Sequence, residues 1–334
     1  MKTIELPGFG SLGAQATDIN LQTASDSDLM ELGKLVFNKL VVYVNAKNAS
    51  ITPERFQYIQ TLWGDPIGSD AGKRLEERVK KEGWNKLYVE TARDMKAMRK
   101  DMLPGMIRVT GIKDDKGKRT GMFADGELDW HSNQQSDNNG YAPLIGLQGV
   151  QGTEGSCTQF LQTVDAFNDL DQDTRTEVEQ LVAIHTFEKD RISRGTSDSQ
   201  ALITNLQLVP EDNTEMPVIA TAPNGDKGMH FPWTSIVGFK DYTQEEFEKL
   251  FNHLVKHLWQ DKYVYSHLWQ DGEIVWMDQI VTLVSTVNKI KDGGILFVED
   301  THSSYNLKDF LIDNKSNKYS FIDFSKKIID DINT

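Results

Sequence analysis

The stretch Asp129-Trp130-His131-Ser132-Asn133 sets an imidazole and a carboxamide two residues apart, where a strand-like pattern gives way to polar loop. Residues two apart at a strand end fall on one side of it, so His131 and Asn133 can offer two donors to one metal ion. A non-haem iron site asks for two neutral imidazoles and one carboxylate on one face of the ion, leaving the other face open. A His-x-Asp or His-x-Glu here would suggest such a site; Asn133 offers instead a neutral amide oxygen, which donates to Fe(II) more weakly than an anion would. The remaining ligand has to come from elsewhere in the chain.

Six further histidines are available: His185, His230, His253, His257, His267 and His302. His253 and His257 lie one helical turn apart in EEFEKLFNHLVKHLW, but no acid follows the first as a zinc-protease helix requires, so they are expected on a helix surface. His185 and His230 fall inside strand candidates, where a hydrogen-bonded core histidine is the expectation. His302 follows Glu299 and Asp300 at the end of a strand candidate and has the right chemistry for a third ligand, with a surface loop as the alternative. Three other patterns carry no function. Gly8-Phe9-Gly10-Ser11-Leu12-Gly13 matches a dinucleotide loop without the strand before it or the helix within it. Asp169, Asp171 and Asp173 start like a calcium loop, but Thr174 replaces the turn glycine, so they read as the acidic start of a helix. Asn48-Ala49-Ser50 and Asn314-Lys315-Ser316 are glycosylation sequons with no secretory route to use them.

These residues need elements to position them. SDSDLMELGKLVFNK (25–39) predicts a helix capped by Ser25 or Ser27 and delivering the β-branched run LVVYV. ITPERFQYIQTLWG (51–64) predicts a second helix, capped by Thr52 with Pro53 at its first position and glycine at its end. Residues 72–102, rich in Lys, Arg and Glu at helical spacing, predict a solvated helical face. From about 106 the chain breaks into short β-type runs (MIRVTG, APLIGLQGV, CTQFLQTV, VEQLVAIHTF, ALITNLQLV, MPVIATA, YVYSHLW, GEIVWMD) separated by turns such as Asp114–Gly117 and Pro223–Asp226. Many short strands at such spacing indicate an antiparallel sandwich or barrel. The last fifty residues differ, with GGILFVED (293–300) as a buried-strand run and FIDFSKKIIDDIN (321–333) as an amphipathic helix, a βα texture that does not continue the barrel pattern.

Composition limits the partners. The 334 residues carry a net charge of −14 spread along the chain, so no basic face exists for a phosphate backbone and nucleic acid is not expected. The start, MKTIELPGFGSLGAQ, lacks a signal-peptide pattern and no apolar run approaches the ~20 residues of a membrane helix, so a cytoplasmic protein is expected. Cys157 is the only cysteine, which excludes an internal disulfide and a thiolate metal cage.

The order of segments resembles the taurine dioxygenase family of Fe(II)/2-oxoglutarate oxygenases over about residues 10–283. GELDWHSN falls at that family's Trp-His-x-Asp iron motif, GTEGSCTQF at its Gly-Gly-x-Thr strand, MPVIATAPNGDKGMHFPWTSIVGFKDYTQEE at its second-half hairpin and helix, and YVYSHLWQDGEIVWMDQIVTL at the approach to its distal iron histidine. The resemblance implies a mainly β double-stranded β-helix, or jelly roll, with flanking helices over residues 1–283. It implies Fe(II) bound by His131 and Asn133, with His302 the candidate replacement ligand, and 2-oxoglutarate as co-substrate contacting Thr158. The activity it implies is hydroxylation of a small polar metabolite, with a homo-oligomer left open. The chain departs from the pattern at three places: Asn133 replaces the carboxylate, Val284 stands where the second histidine belongs, and no arginine follows it to grip the distal carboxylate of 2-oxoglutarate. Lys289 or Lys291 offers only a point charge there. The segment 284–334 resembles the end of the cephalosporin hydroxylase and macrocin methyltransferase group, which implies a C-terminus of different origin that is no independent domain. The alternative reading is a non-catalytic relative that uses the barrel for binding or oligomerisation.

Overall fold

A computed structural model describes residues 1–64, 66–67, 103, 106–110, 112, 114–117, 128–132, 144–185, 213–286, 295–299 and 302–303. Asn133, residues 72–102, the ALITNLQLV run, Lys289, Lys291 and the 321–333 helix lie outside them.

The first predicted helix forms as α1, Asp26–Asn38. Ser25 and Asp28 satisfy each other's backbone N–H in a capping box, which fixes where the helix starts. The second forms as α3, Pro53–Thr61, with the Thr52 hydroxyl accepting from Arg55 N, and a single turn, α2 (Ala46–Ala49), lies between them. The buried side of α1 includes Gly33, where a Cβ would stand 2.5 Å from Trp63 Nε1. That indole donates to Leu29 O at 2.9 Å, so the missing side chain is what lets α3 lock onto α1.

Seven strands make the larger sheet. In chain order they are β1 (Lys2–Leu6), β2 (Gly10–Thr17), β3 (Val41–Val44), β5 (Met106–Thr110), β7 (Leu144–Gln151), β15 (Ile274–Asp278) and β17 (Ile295–Glu299), and their spatial order is β1-β2-β3-β15-β7-β17-β5. All neighbours are antiparallel except β2 and β3. The smaller sheet contains β6 (Leu128–His131), β8 (Cys157–Gln162), β14 (Val264–Leu268) and β16 (Thr282–Thr286) in the order β14-β8-β16-β6. Alternation along these strands separates two apolar faces. Ile145, Leu147, Val275 and Met277 of the large sheet meet Phe160, Tyr265 and Val284 of the small one in a core between the sheets. Leu144, Ile274 and Trp276 face the other way and pack on α1 and α3.

The outer face of the small sheet presents Trp130, Leu161 and Leu283 to a third core. That core is completed by an inserted layer: α4 (Val164–Asn168), α5 (Gln172–Val178), β9 (Val182–His185), β10 (Thr214–Pro217), the hairpin of β11 (Ile219–Thr221) and β12 (Lys227–Met229), β13 (Ile236–Phe239) and α6 (Gln244–Leu258). The hairpin turns through Gly225 at φ 91°, as the Pro223–Asp226 turn residues predict. Asp171 caps α5 by accepting from Thr174 N, so the Asp-rich run is a helix start rather than a calcium loop.

Two expectations need correction. VEQ of the VEQLVAIHTF run belongs to the end of α5 and its turn, because Asp171 has already nucleated a helix there; the described part of the strand is Val182–His185. ILFVE, read as texture foreign to the barrel, is β17, a strand hydrogen-bonded on both edges between β7 and β5. Its sequence, ILFVE, runs apolar without alternation, which is why it looked different from its neighbours. The boundary drawn between 283 and 284 falls inside β16.

Candidate metal and co-substrate site

Register in the small sheet places the chemistry-bearing residues in rows. His131 lies directly opposite Val284, Val284 opposite Phe160, and Phe160 opposite Tyr265, a row crossing all four strands. Two residues further in, Thr286 lies opposite Thr158 and Thr158 opposite His267. Because Phe160, Tyr265 and Val284 belong to the core between the sheets, His131, Thr158 and His267 face the barrel interior with them.

His131 is 6% exposed, at the end of β6. Next to it, Ser132 Oγ lies 2.9 Å from Gln279 O and 3.0 Å from its Oε1, tying β6 to the turn that joins β15 to β16. Asp278 organises that turn by accepting from Ile280 N at 2.9 Å and Val281 N at 2.7 Å. Its carboxyl is wholly buried, and the loss of solvation pushes its pKa up to about 7 against those two hydrogen bonds.

Thr158, the residue expected on the co-substrate, is 2% exposed and accepts from Trp269 Nε1 at 2.8 Å. Around it is a polar group that the sequence reading did not assemble. The Tyr265 hydroxyl lies 2.9 Å from His267 Nδ1, His267 Nε2 lies 3.1 Å from Glu273, and the His267 ring meets Trp269 edge-on at 4.5 Å. Burial raises the Tyr265 phenol well above its ordinary value. The signal was present in YVYSHLW, since Tyr265, His267 and Trp269 alternate at the strand period and must share one face.

The expected site residues therefore separate. His131 and Thr158 share the interior, one row apart. The second-histidine position carries Val284, buried in the apolar core, which has no donor to give. His302 has its backbone in a two-residue bridge, β18 (His302–Ser303), paired with β4 (Pro66–Ile67). β17 leaves the sheet at Glu299 opposite Gly146, close to where Leu144 pairs with Asp278, so His302 follows at the same barrel end as His131. Among the described residues, no three His, Cys, Asp or Glu come together to hold a metal. The facial ligand set thus fits at His131 and fails at Val284. Arg108 does not supply a guanidinium to the interior for the distal carboxylate: Val109 faces the core between the sheets, which puts its neighbour Arg108 on the opposite face. His253 and His257 lie on α6, as expected, with His257 Nε2 2.7 Å from Ala166 O.

The family model for taurine catabolism dioxygenases, TauD and TfdA, matches residues 6–283. A taurine dioxygenase from Burkholderia xenovorans superposes with a TM-score of 0.61 at 16% identity, over 89% of each chain. A second Burkholderia xenovorans structure, a putative alpha-ketoglutarate-dependent taurine dioxygenase, gives 0.61 at 15% identity, over 89% of this chain and 91% of its own. AAD-2 in complex with Mn(II) and N-oxalylglycine gives 0.64 at 18% identity, over 89% of this chain and 96% of its own. At these identities the structures speak for the fold. No curated protein sequence matches the chain.

Proposed function

The chain belongs to the taurine catabolism dioxygenase TauD, TfdA family, whose enzymes use Fe(II) and 2-oxoglutarate, and from that membership we propose that it is a cytoplasmic Fe(II)/2-oxoglutarate-dependent hydroxylase of a small polar metabolite. The observation that carries this reading is the pair of interior rows, with His131 at the barrel end and Thr158 one row deeper. In this reading His131, Asn133 and His302 hold the iron, which supplies the oxygen-activating chemistry when bound. Thr158, its oxygen already fixed by Trp269, turns its own proton toward the co-substrate. Burial of His131 and of the rows beside it keeps water from the reacting end of the barrel.

A second reading, a non-catalytic relative that keeps the barrel for binding, is favoured by Val284 standing directly across from His131. One anaerobic titration separates the two. Adding Fe(II) and then 2-oxoglutarate to the apoprotein is expected to give a visible metal-to-ligand absorption band, lost in His131→Gln and weakened in His302→Ala. A flat spectrum in the unaltered protein sinks the hydroxylase reading and leaves the second.

A further inference from the structure

The polar group beside Thr158 has no part among the proposed iron ligands. Tyr265 and His267 alternate on the interior face of β14, Trp269 follows that strand and Glu273 precedes β15; all four are buried. Gln270 N donates to Glu273 Oε2 at 3.0 Å, which fixes the carboxylate 3.1 Å from His267 Nε2. No hydrogen bond closes at Nε2 among the described residues, so the carboxylate acts on the ring through its charge. A carboxylate held beside one ring nitrogen keeps a proton on that nitrogen, and in the neutral imidazole the lone pair is then on Nδ1. The Tyr265 hydroxyl, 2.9 Å from Nδ1, therefore donates to it. Burial above all, with Tyr43 and Glu273 nearby, holds the Tyr265 pKa well above its ordinary value, so the phenol rests protonated.

Aromatic rings surround this hydrogen bond. Phe160 stacks on Tyr265 with ring centroids 6.1 Å apart, Trp269 meets the His267 ring edge-on at 4.5 Å, and Tyr43 of β3 lies 5.1 Å from His267. Tyrosine and tryptophan are the aromatic side chains that lose an electron most readily. Trp269 also donates to Thr158, the residue proposed to contact the co-substrate. The group thus runs from the co-substrate wall through Trp269, His267 and Tyr265 to Tyr43, which is only half-buried.

We propose that Tyr265 is a redox-active tyrosine, which gives up one electron when the oxidising chemistry of the barrel finds no substrate to take it. In that step the electron leaves the phenol for a one-electron oxidant, the O–H bond breaks, and the proton passes to His267 Nδ1. The products are a neutral phenoxyl radical and an imidazolium that faces Glu273. Oxidising a buried phenol without moving its proton would leave an uncompensated cation in a dry core, which desolvation opposes. Here the proton travels along a hydrogen bond already formed, and Glu273 offsets the charge that appears on the ring. A returning electron draws the proton back from Nδ1 and restores the phenol. The oxidant is of the one-electron class that oxygen and the bound iron supply in the proposed function. Only that source rests on the hydroxylase reading; the arrangement of phenol, imidazole and carboxylate does not.

The test uses the iron-free full chain with photogenerated tris(bipyridine)ruthenium(III) as oxidant, so its outcome does not depend on whether the chain binds iron. Freeze-trapped samples are expected to show the electron paramagnetic resonance of a tyrosyl radical, carrying a ¹⁵N coupling when the chain is labelled at histidine. Tyr265→Phe should abolish the coupled signal and His267→Gln should remove the coupling. Tyr58→Phe, which alters an exposed phenol on α3, should change neither. Because a buried substitution can unfold the chain, the histidine coupling in the unaltered protein stands as a second readout. No tyrosyl radical, a radical without histidine coupling, or a coupled signal that survives in Tyr265→Phe would each overturn the proposal.

Discussion

Directly opposed residues in an antiparallel ladder bring their Cβ atoms to about 4.5–5.5 Å, close enough for two imidazoles to share one ion. His131 and Val284 are such a pair. Val284→His is therefore expected to raise affinity for Co(II) at least tenfold, read anaerobically from its d–d absorption; an unchanged affinity would mean that the His131 ring does not face the shared position. Asp278 carries a prediction of opposite kind. Its pKa is raised from 3.8 to about 7 in the folded chain, so the folded state holds a proton that the unfolded state has released between those values. Stability is then full below about pH 4 for this group and is lost as pH rises through 7. Asn offers the same oxygen to Ile280 N and Val281 N without a charge. Asp278→Asn should flatten the stability curve between pH 4 and 7 in urea titrations; a curve that keeps its fall would assign the titration to another group.

At the scale of elements, α1 and α3 dock through a missing side chain. Replacing Gly33 by Ala would add helix propensity worth about 1 kcal/mol, but the new methyl would have to displace Trp63 and break its bond to Leu29 O. Overpacking and an orphaned buried donor together cost roughly 2–5 kcal/mol, so the packing loss wins. Gly33→Ala is expected to lower stability by about 2 kcal/mol in denaturant melts, with Gly33→Ser at least as severe. A neutral Gly33→Ala would show that Trp63 has room to move.

For the whole molecule, β17 matters more than its place near the C-terminus suggests. It lies between β7 and β5, and without it β5 loses its neighbour in the sheet while β7 loses one of its two. A chain ending at 286 is expected to be insoluble or to melt without cooperativity, because two unpaired edges expose main-chain donors and the core between the sheets opens. A truncated chain with a sharp transition would show that the segment after β16 is dispensable, as its separate resemblance implies.

Much of the architecture was legible locally. Caps at Ser25 and Thr52 and the turn residues at 223–226 carry their own geometry in short-range chemistry, and the helices and hairpin formed where they predict. His131 was legible as a candidate from its own surroundings, Thr158 only through the family resemblance, and Val284 as a departure from that family's pattern. Which residues share a row was not, because register is set by pairing between segments about 150 residues apart and not by any one of them. For the same reason the Tyr265, His267 and Glu273 group went unassembled, and β17 was misread: a strand's place in a sheet depends on the neighbours it finds. Residue types, their periodicity and the missing second histidine and arginine were determined by the sequence alone. That the valine faces His131, that Trp269 holds Thr158, and that Glu273 meets His267 were decided only when the strands closed into two sheets and brought distant side chains to one face.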